Sequence, residues 1–162
     1  MERYLRSSLI ALLLLVLQTT VVPFLSLGGF LPDLLLVWLV FIAIRRGQVE
    51  AALSGFVVGF LQDVTTTQFF GLAALAKTVG GFAAGYFFNE NTTEETLSTY
   101  RFALIVLLAA FIHDGVYYAI FFQGSDAPLV LSTLRASFFS ALYTGLAALL
   151  PIFFYARKRS RL

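Results

Sequence analysis

Residues 100–122 read YRFALIVLLAAFIHDGVYYAIFF, which is an apolar run with few interruptions. A helix needs about 20 apolar residues to cross the hydrocarbon core of a bilayer, and this run has that length. Beyond Arg101, near its start, only the adjacent pair His113 and Asp114 breaks the run with ionisable side chains. The run therefore predicts a transmembrane helix that carries two polar residues within the membrane.

The whole chain has the same apolar character. Of its 162 residues, 59% are hydrophobic and only 12% are charged. A soluble domain is usually about half apolar and about a quarter charged, so lipid must be the solvent for part of this chain. No segment is long and polar enough to form a separate soluble domain. The composition predicts a single membrane-embedded domain spanning 1–162.

We predict an all-α membrane protein whose six transmembrane helices form one bundle. The helices cover residues 4–22, 31–44, 48–64, 70–88, 100–122 and 134–155. The second is short for a full span, so five spans with a re-entrant segment around residues 28–32 are the alternative. The first could be misread as a signal peptide, but its apolar stretch continues through Val22 and more hydrophobic segments follow it, which favours retention.

The positions of lysine and arginine orient the bundle, because cytoplasmic loops of membrane proteins are enriched in both. If the N-terminus is cytoplasmic, nine of the eleven basic residues fall on the inner side of the membrane: Arg3, Arg6, Arg45, Arg46, Arg101, Arg157, Lys158, Arg159 and Arg161. This pattern favours six spans over five and puts the C-terminus in the cytoplasm as well. The basic tail is expected to bind anionic lipids.

Two of the predicted helices carry glycine at every fourth position in line with one charged residue. The series are Gly55, Gly59 and Asp63 in the third helix, and Lys77, Gly81 and Gly85 in the fourth. Residues four apart lie on one helix face, and small residues there let two helices approach closely within a membrane. The spacing predicts that these two faces form helix-packing surfaces.

The ionisable residues inside the predicted helices need partners, because a charge at the bilayer centre costs about 2.5–3.5 kcal/mol. At about 1.5 Å of rise per residue, Lys77 and Asp114 lie at similar depths in the outer half of the membrane. We expect a polar cluster of Lys77 with Asp114, with His113 beside it and Asp63 within reach. Such a cluster would either hold the helices together or form a substrate or proton site.

A further acidic residue, Asp33, follows Pro32 at the start of the second helix. Proline is favoured in a first helical turn, and an acidic residue there complements the helix dipole. The pair therefore predicts a helix cap. A contact between Asp33 and a partner protein at the outer surface is the alternative.

Catalytic chemistry finds little support in the sequence. The chain has no cysteine, which excludes disulfides and thiolate chemistry, and its single histidine cannot supply an HExxH zinc motif. It has no glycine-rich phosphate loop and no Gly-x-Ser-x-Gly nucleophile motif. We predict a protein that is not an enzyme, with no catalytic residue, cofactor, metal or nucleic-acid partner.

Several of these features, in this order, resemble the bacterial rod shape-determining protein MreD family. The resemblance covers nearly the whole chain, including its size and its six-helix hydropathy. It is carried by Pro32-Asp33, Gly55-x-x-x-Gly59-Phe60-Leu61-x-Asp63, Gly71-x-x-Ala74-Leu75, Asp114, and a Pro151-Ile152-Phe153-Phe154 end followed by basic residues.

The resemblance implies a scaffold of the cell-elongation machinery in the bacterial inner membrane, which helps control cell shape and peptidoglycan synthesis. Such a scaffold would bind the bitopic protein MreC. Through this complex it would be linked to the MreB filament and to the synthases RodA and the elongation transpeptidase.

The family's fold is also similar to the substrate-binding S components of energy-coupling-factor vitamin transporters, which makes an S component the alternative function. The first helix of an S component usually carries an Ala-x-x-x-Ala face. Here Leu15 follows four residues after Ala11, which disfavours that alternative.

Overall fold

The computed structural model describes residues 2–66, 69–123 and 128–153. These residues form an all-α fold, as predicted, with two short 3₁₀ turns at Val22–Leu25 and Gly85–Phe87. Seven α-helices occur in the described residues: α1 Glu2–Thr20, α2 Leu34–Arg46, α3 Gln48–Thr66, α4 Leu72–Ala84, α5 Thr93–Leu97, α6 Tyr100–Phe121 and α7 Leu129–Ala147.

Two helices differ clearly from the sequence prediction. Helix α7 begins at Leu129, five residues before the predicted start at 134, because Pro128 takes the N-cap position that its fixed backbone suits. Helix α5 lies in the polar linker 89–99, where no helix was predicted. Its first turn contains Glu94 and Glu95, which complement the helix dipole, and Leu97 anchors it in the core. Residues 154–155 of the predicted sixth helix, and the basic tail, lie outside the described residues.

Helix α2 lies at the centre of the bundle. Its buried residues cover all but the face that carries Leu34, Trp38 and Phe41: Leu35, Leu36, Val37, Leu39, Val40, Ile42, Ala43 and Ile44. A helix that is hydrophobic nearly all round is typical of a central position. Its 13 residues extend about 20 Å, which is less than the roughly 30 Å of a bilayer core. The other helices surround it.

The segment before α2, which was the candidate re-entrant stretch, forms a tight turn packed on α7. Leu27 and Phe30 exchange two backbone hydrogen bonds of 3.1 Å around Gly28 and Gly29. Both glycines have positive φ angles, +61° and +88°, as a two-residue hairpin of type I′ requires. The Phe30 ring stacks on Phe139 of α7 at a centroid distance of 5.6 Å. The turn is thereby fixed against α7.

Helices α3 and α4 pack with their backbones in contact. A Cβ atom added at Gly59 would lie 2.5 Å from the carbonyl oxygen of Ala73, and one added at Gly55 would lie 2.5 Å from that of Lys77. From the other side, a Cβ at Gly81 would lie 2.9 Å from the Ala51 carbonyl oxygen. A Cβ at Gly85 would lie 2.4 Å from the Gln48 Cα atom, just where α3 begins. All four glycines of the two sequence series therefore lie at the α3–α4 contact.

Charged side chains link several helices at one end of the bundle, which we call the charged end. Three ion pairs define it: Arg45–Glu94 at 2.9 Å, Arg101–Glu95 at 3.3 Å and Arg46–Glu50 at 3.4 Å. The Arg46 guanidinium also lies 4.7 Å from the ring centroid of Tyr4, so the start of α1 is at the same end. Exposed ion pairs of this kind contribute at most about 1 kcal/mol each to folding stability. Their main significance is that they mark one end of the bundle as polar.

Two described helical segments are long and apolar enough to cross a bilayer by length and composition, Tyr100–Phe121 and Leu129–Phe153. Tyr4–Thr20 and Leu72–Phe87 are apolar but shorter. Large hydrophobic side chains are exposed along α1, α3, α6 and α7, among them Leu13, Val57, Leu108 and Phe138. A soluble monomer rarely exposes contiguous apolar surface on this scale.

Candidate functional site: a buried charge network

Four ionisable side chains from three elements meet inside the bundle, and we call them the charge network: Asp33, Lys77, His113 and Asp114. Lys77 is 1% exposed and the other three are at most 9% exposed. The Lys77 ammonium forms an ion pair with Oδ2 of Asp33. Asp33 precedes α2, Lys77 lies in α4, and the remaining pair lies in α6. The network therefore joins the central helix to two of its neighbours.

Asp33 is placed by its role at the start of α2. Its Oδ1 accepts a 2.9 Å hydrogen bond from the backbone N–H of Leu36, which is the usual geometry of an N-cap residue. Its own backbone N–H donates to Oγ1 of Thr144 in α7 at 3.0 Å. The two carboxylate oxygens thus have different partners, because Oδ1 caps the helix while Oδ2 faces Lys77.

A glycine lets α4 and α6 approach each other beside this ion pair. A Cβ atom added at Gly80 would lie 3.1 Å from the Cβ atom of His113. Gly80 is three residues from Lys77, so it lies on nearly the same face of α4. The close approach brings the imidazole of His113 towards Asp33, with 3.9 Å between His113 Nε2 and Asp33 Oδ2.

His113 and Asp114 form the second half of the network. His113 Nδ1 and Asp114 Oδ1 are 2.9 Å apart, and the imidazole ring stacks on Tyr117 at a centroid distance of 6.2 Å. Within the described part of the chain, His113 Nε2 and Asp114 Oδ2 have no hydrogen-bond partner. The network consequently retains one nitrogen and one oxygen that could take part in further polar contacts.

The charges of the four groups nearly cancel. Two carboxylates and one ammonium leave a net charge of −1 when the imidazole is neutral, and of zero when it is protonated. Buried charges are tolerated when they are paired and hydrogen-bonded, because each one has lost its hydration. The arrangement can therefore hold three helices together.

The observed partners differ from those expected from the sequence. Lys77 pairs with Asp33 rather than with Asp114, and Asp114 interacts with its neighbour His113. Helical rise gives the depth of a residue in a bundle but not the direction in which its side chain points. The sequence placed Lys77 and Asp114 at similar depths, and it treated Asp33 separately as a cap.

Asp63 lies outside this network and caps α4. Its carboxylate accepts hydrogen bonds of 3.0–3.1 Å from the backbone N–H groups of Gly71, Ala73 and Ala74. These donors lie at the start of α4, where the first N–H groups of a helix have no partner within it. The acidic end of the α3 glycine series thus fixes the α3–α4 hairpin.

Two polar residues near the network were missed by the sequence reasoning. Gln18 at the end of α1 donates to the Pro32 carbonyl oxygen at 3.0 Å and accepts from the Leu34 N–H at 2.9 Å. A lone amide at the end of an apolar helix could have suggested such a contact. Nothing in the α7 sequence singles out Thr144, whose hydroxyl accepts from Asp33.

Two grooves flank α1. The first, which we call the α1–α7 cleft, has a volume of about 950 Å³ and runs along one side of α2 to the charged end. The second, the α1–α3 groove, has a volume of about 660 Å³. Trp38 of α2 lines both of them. In the described part of the chain, no group of three or more His, Cys, Asp or Glu side chains could hold a metal ion.

Comparison with known proteins gives one match. The family model described as rod shape-determining protein MreD matches residues 2–158, nearly the whole chain. No curated protein and no solved structure matches. The similarity to S components of vitamin transporters that the sequence suggested therefore receives no support from solved structures.

Proposed function

Because the chain belongs to the rod shape-determining protein MreD family, we propose that it is a non-enzymatic membrane scaffold of the bacterial cell-elongation machinery. The family match over residues 2–158 is the observation that carries this proposal. Membership itself connects the chain with the determination of cell shape. The scaffold role, the membrane topology and the partners are proposed on the basis of this membership.

The proposed topology has six membrane crossings, with both ends in the cytoplasm of the inner membrane. Its support is the segregation of charge in the bundle, since the ion pairs of Arg45, Arg46 and Arg101 lie together at the charged end. The basic side of a membrane protein generally faces the cytoplasm. Helix α2, too short to cross a bilayer by itself at about 20 Å, would be the central helix that its neighbours enclose.

The proposed partner is an MreC-type bitopic protein, through which the chain would be linked to RodA, the elongation transpeptidase and the MreB filament. Exposed apolar faces on α1, α3, α6 and α7 offer surface to a transmembrane segment. Within a membrane such a segment would associate through close packing and hydrogen bonds rather than through the hydrophobic effect.

In this proposal, the charge network has a packing role. Lys77, Asp33 and His113 come from different parts of the bundle, and their contacts tie α2, α4 and α6 to one another. A substrate or proton site is the alternative role of the network. No observation in the structure favours the vitamin-transporter function, so we do not propose it.

A depletion experiment tests the scaffold function. In a rod-shaped host that depends on this protein, its removal is expected to give round cells, and re-expression of the intact chain to restore rods. Purification of the chain from detergent-solubilised membranes is expected to recover the MreC-type partner. A chain carrying Gly59→Leu, which disrupts the α3–α4 contact, is the matched negative control.

Two results would contradict the proposal. Cells that remain rod-shaped after complete depletion would exclude a role in cell shape. A purified, folded chain that recovers no MreC-type protein would exclude the proposed partner. Loss of vitamin uptake on depletion, with shape unchanged, would instead favour the transporter function.

A further inference from the structure

Helix α7 carries a line of four hydroxyl residues along one face: Thr133, Ser137, Ser140 and Thr144. Their spacing of four, three and four residues keeps them on one side of a helix. Ser137, Ser140 and Thr144 are buried, with at most 4% of each residue exposed. Buried hydroxyl groups need hydrogen-bond partners, so this hydroxyl line indicates a polar surface inside the bundle.

The hydroxyl line faces α6 and the start of α2. The Thr144 hydroxyl accepts a hydrogen bond from the backbone N–H of Asp33 at 3.0 Å. One turn away, the side chains of Ser140 and Tyr118 of α6 share a hydrogen bond. The line therefore lies between α7 and the elements that carry the charge network.

The register of the two helices places Asp114 opposite Ser137. Helices α6 and α7 run antiparallel, and a Cβ atom added at Gly145 would lie 3.3 Å from Cδ1 of Leu107. Asp114 lies seven residues beyond Leu107 in α6, and Ser137 lies eight residues before Gly145 in α7, so both are about two turns further on. Asp114 also interacts electrostatically with Tyr118, which is bonded to the hydroxyl line.

We call the place where these groups meet the seam site, and define it by Asp114, Tyr118, Ser137 and Ser140. Oδ2 of Asp114 and the Ser137 hydroxyl have no hydrogen-bond partner in the part of the chain that the structure describes. Asp114 is 5% exposed and Ser137 is 1% exposed. Buried polar atoms in native proteins are nearly always hydrogen-bonded, so two such atoms at one helix contact indicate a ligand.

The negative charge of the network is not neutralised at the seam site. The Lys77 ammonium pairs with Asp33 rather than with Asp114. His113 Nδ1 lies 2.9 Å from Asp114 Oδ1, and a neutral imidazole that donates there orients the carboxylate without cancelling its charge. A buried carboxylate without a counter-charge is costly. One monovalent cation would supply that counter-charge.

The donor atoms of the seam site suit a small, hard cation. All of them are oxygens, from one carboxylate and three hydroxyl groups, and oxygen ligands are preferred by hard cations. Calcium generally takes more carboxylates, and no group of three or more His, Cys, Asp or Glu side chains among the described residues could hold a metal ion. The close packing of α6 on α7 at Gly145 favours a single ion over a bulkier organic cation.

We propose that the seam site binds one Na⁺ ion between Oδ2 of Asp114 and the hydroxyl groups of Tyr118, Ser137 and Ser140. The ion supplies the counter-charge that the network lacks and fixes α7 to α6. It enters from the end of the bundle opposite the charged end, where Thr133 lies one turn from Ser137. The inference goes beyond the scaffold function and does not depend on which end of the bundle faces the cytoplasm.

Sodium-dependent stability of the full chain tests the site. The chain is purified in a non-ionic detergent, and its melting temperature is recorded as NaCl replaces choline chloride at constant total salt. A ligand that binds only the folded state stabilises it increasingly with concentration. We expect a rise in melting temperature that depends on Na⁺ rather than on total salt, and binding of radioactive Na⁺ that saturates at one ion per chain.

Two variants test the proposed ligands. Asp114→Asn removes the charge and should abolish the response to Na⁺. In Na⁺-free buffer this variant should melt no lower than the intact chain, because a buried amide needs no counter-ion. Ser137→Ala should weaken Na⁺ binding about tenfold, which corresponds to about 1.4 kcal/mol.

Ser132→Ala is the matched control, because Ser132 lies in the same helix but off the hydroxyl line. Its response to Na⁺ should equal that of the intact chain. Size-exclusion profiles identify any variant that fails to fold, and Ser137→Ala, which removes a single oxygen, is the less disruptive of the two ligand variants.

Several outcomes would overturn the proposal. Equal melting temperatures in NaCl and choline chloride would exclude a sodium site in the intact chain, whatever the variants do. A response to Na⁺ that survives both Asp114→Asn and Ser137→Ala would place the ion elsewhere. Tighter binding of Ca²⁺ than of Na⁺ would contradict a monovalent site. None of these results bears on cell rounding or partner recovery, so the scaffold function is tested separately.

Discussion

The carboxylate of Asp33 makes two contacts that cannot be made independently. One oxygen caps α2 through Leu36, and the other pairs with Lys77. Any movement of α4 relative to α2 would therefore disturb the first turn of the central helix as well as the ion pair. The charge network thereby couples the start of α2 to the position of α4.

Loss of the Lys77 ammonium should strongly destabilise the bundle. Lys77→Met keeps the length and apolar stem of the side chain but leaves the Asp33 carboxylate buried without its ion-pair partner. Breaking a buried ion pair by removing one member costs about 3–5 kcal/mol. We expect a decrease of this size in the free energy of unfolding, measured by denaturant titration in mixed micelles.

The matched double variant separates the ion pair from general damage to the site. Asp33→Asn retains an oxygen that can cap Leu36, so Lys77→Met combined with Asp33→Asn removes both charges and keeps the cap. The losses of unfolding free energy caused by Lys77→Met and by Asp33→Asn should be non-additive in the double variant, by about 0.5–3 kcal/mol. Additive effects would contradict the pairing. A Lys77→Met chain with unchanged stability but lost function would instead favour the substrate or proton site.

The hydrogen bonds by which Asp63 caps α4 should contribute less to stability than the ion pair between Lys77 and Asp33. Asp63→Ala removes the acceptor for three backbone N–H groups at the start of α4, and losing an N-cap side chain costs about 0.5–2 kcal/mol. Asp63→Asn, which keeps one carbonyl oxygen, should lose less. The same unfolding titration measures both, and a larger loss in the Asn variant than in the Ala variant would contradict the capping role.

At the residue scale, the sequence singled out Lys77, His113 and Asp114 as a cluster, and the structure places them together, but it did not give all of their partners. Lys77, His113 and Asp114 stood out because ionisable groups are rare in apolar helices. The partner of Lys77 could not be predicted, because Asp33 lies 44 residues before Lys77 in the chain. Nothing in a single sequence reports a contact over such a separation. The capping role of Asp33 at the start of α2 was easier to predict, since it depends only on neighbouring positions in the sequence.

At the scale of the elements, the α3–α4 contact should tolerate no side chain larger than glycine. A Cβ at Gly59 would meet backbone atoms of Ala73 and Ala74 at 2.5 Å, and backbone cannot rotate out of the way as a side chain can. Gly59→Ala should therefore separate the helices. We expect it to lower the free energy of unfolding by at least about 1–3 kcal/mol, the usual range for overpacking.

Gly115 supplies the matched control within α6. A Cβ there would meet nothing within 4 Å, and alanine is favoured over glycine inside a helix by about 0.5–1 kcal/mol. Gly115→Ala should leave stability unchanged or raise it by that amount. Equal losses at both positions would argue against the close α3–α4 contact as the cause.

Glycine spacing predicted this pair of helices well because the signal is local to each helix. Helix boundaries were less predictable. The start of α7 was predicted at Leu134, but the helix begins directly after Pro128. The five-residue helix α5 depends on burial of Thr96 and Leu97 against other elements, which no local pattern reports.

At the scale of the whole molecule, the absence of cysteine allows a direct test of the proposed topology. Two exposed positions lie far apart along the bundle. Ser26 lies in the segment before α2, and Asn91 precedes α5 near the charged end. We expect a membrane-impermeant thiol reagent to label Ser26→Cys in spheroplasts but to label Asn91→Cys only after the membrane is permeabilised.

The reverse pattern would show that the charged end faces outward, and it would contradict the proposed topology. Labelling of both positions in unpermeabilised spheroplasts would be incompatible with two cytoplasmic ends. The unmodified chain, which carries no thiol, is the control for non-specific labelling.

The long separation between Asp33 and Lys77 has a consequence for biogenesis. During synthesis the acid emerges from the ribosome 44 residues before the base that neutralises it. A nascent chain that ends between them presents α2 to the translocon with an unpaired carboxylate at its start. Such an intermediate must keep that end in water or carry the acid protonated until α4 arrives. Chains truncated in this interval should therefore be the preferred substrates of membrane quality-control proteases.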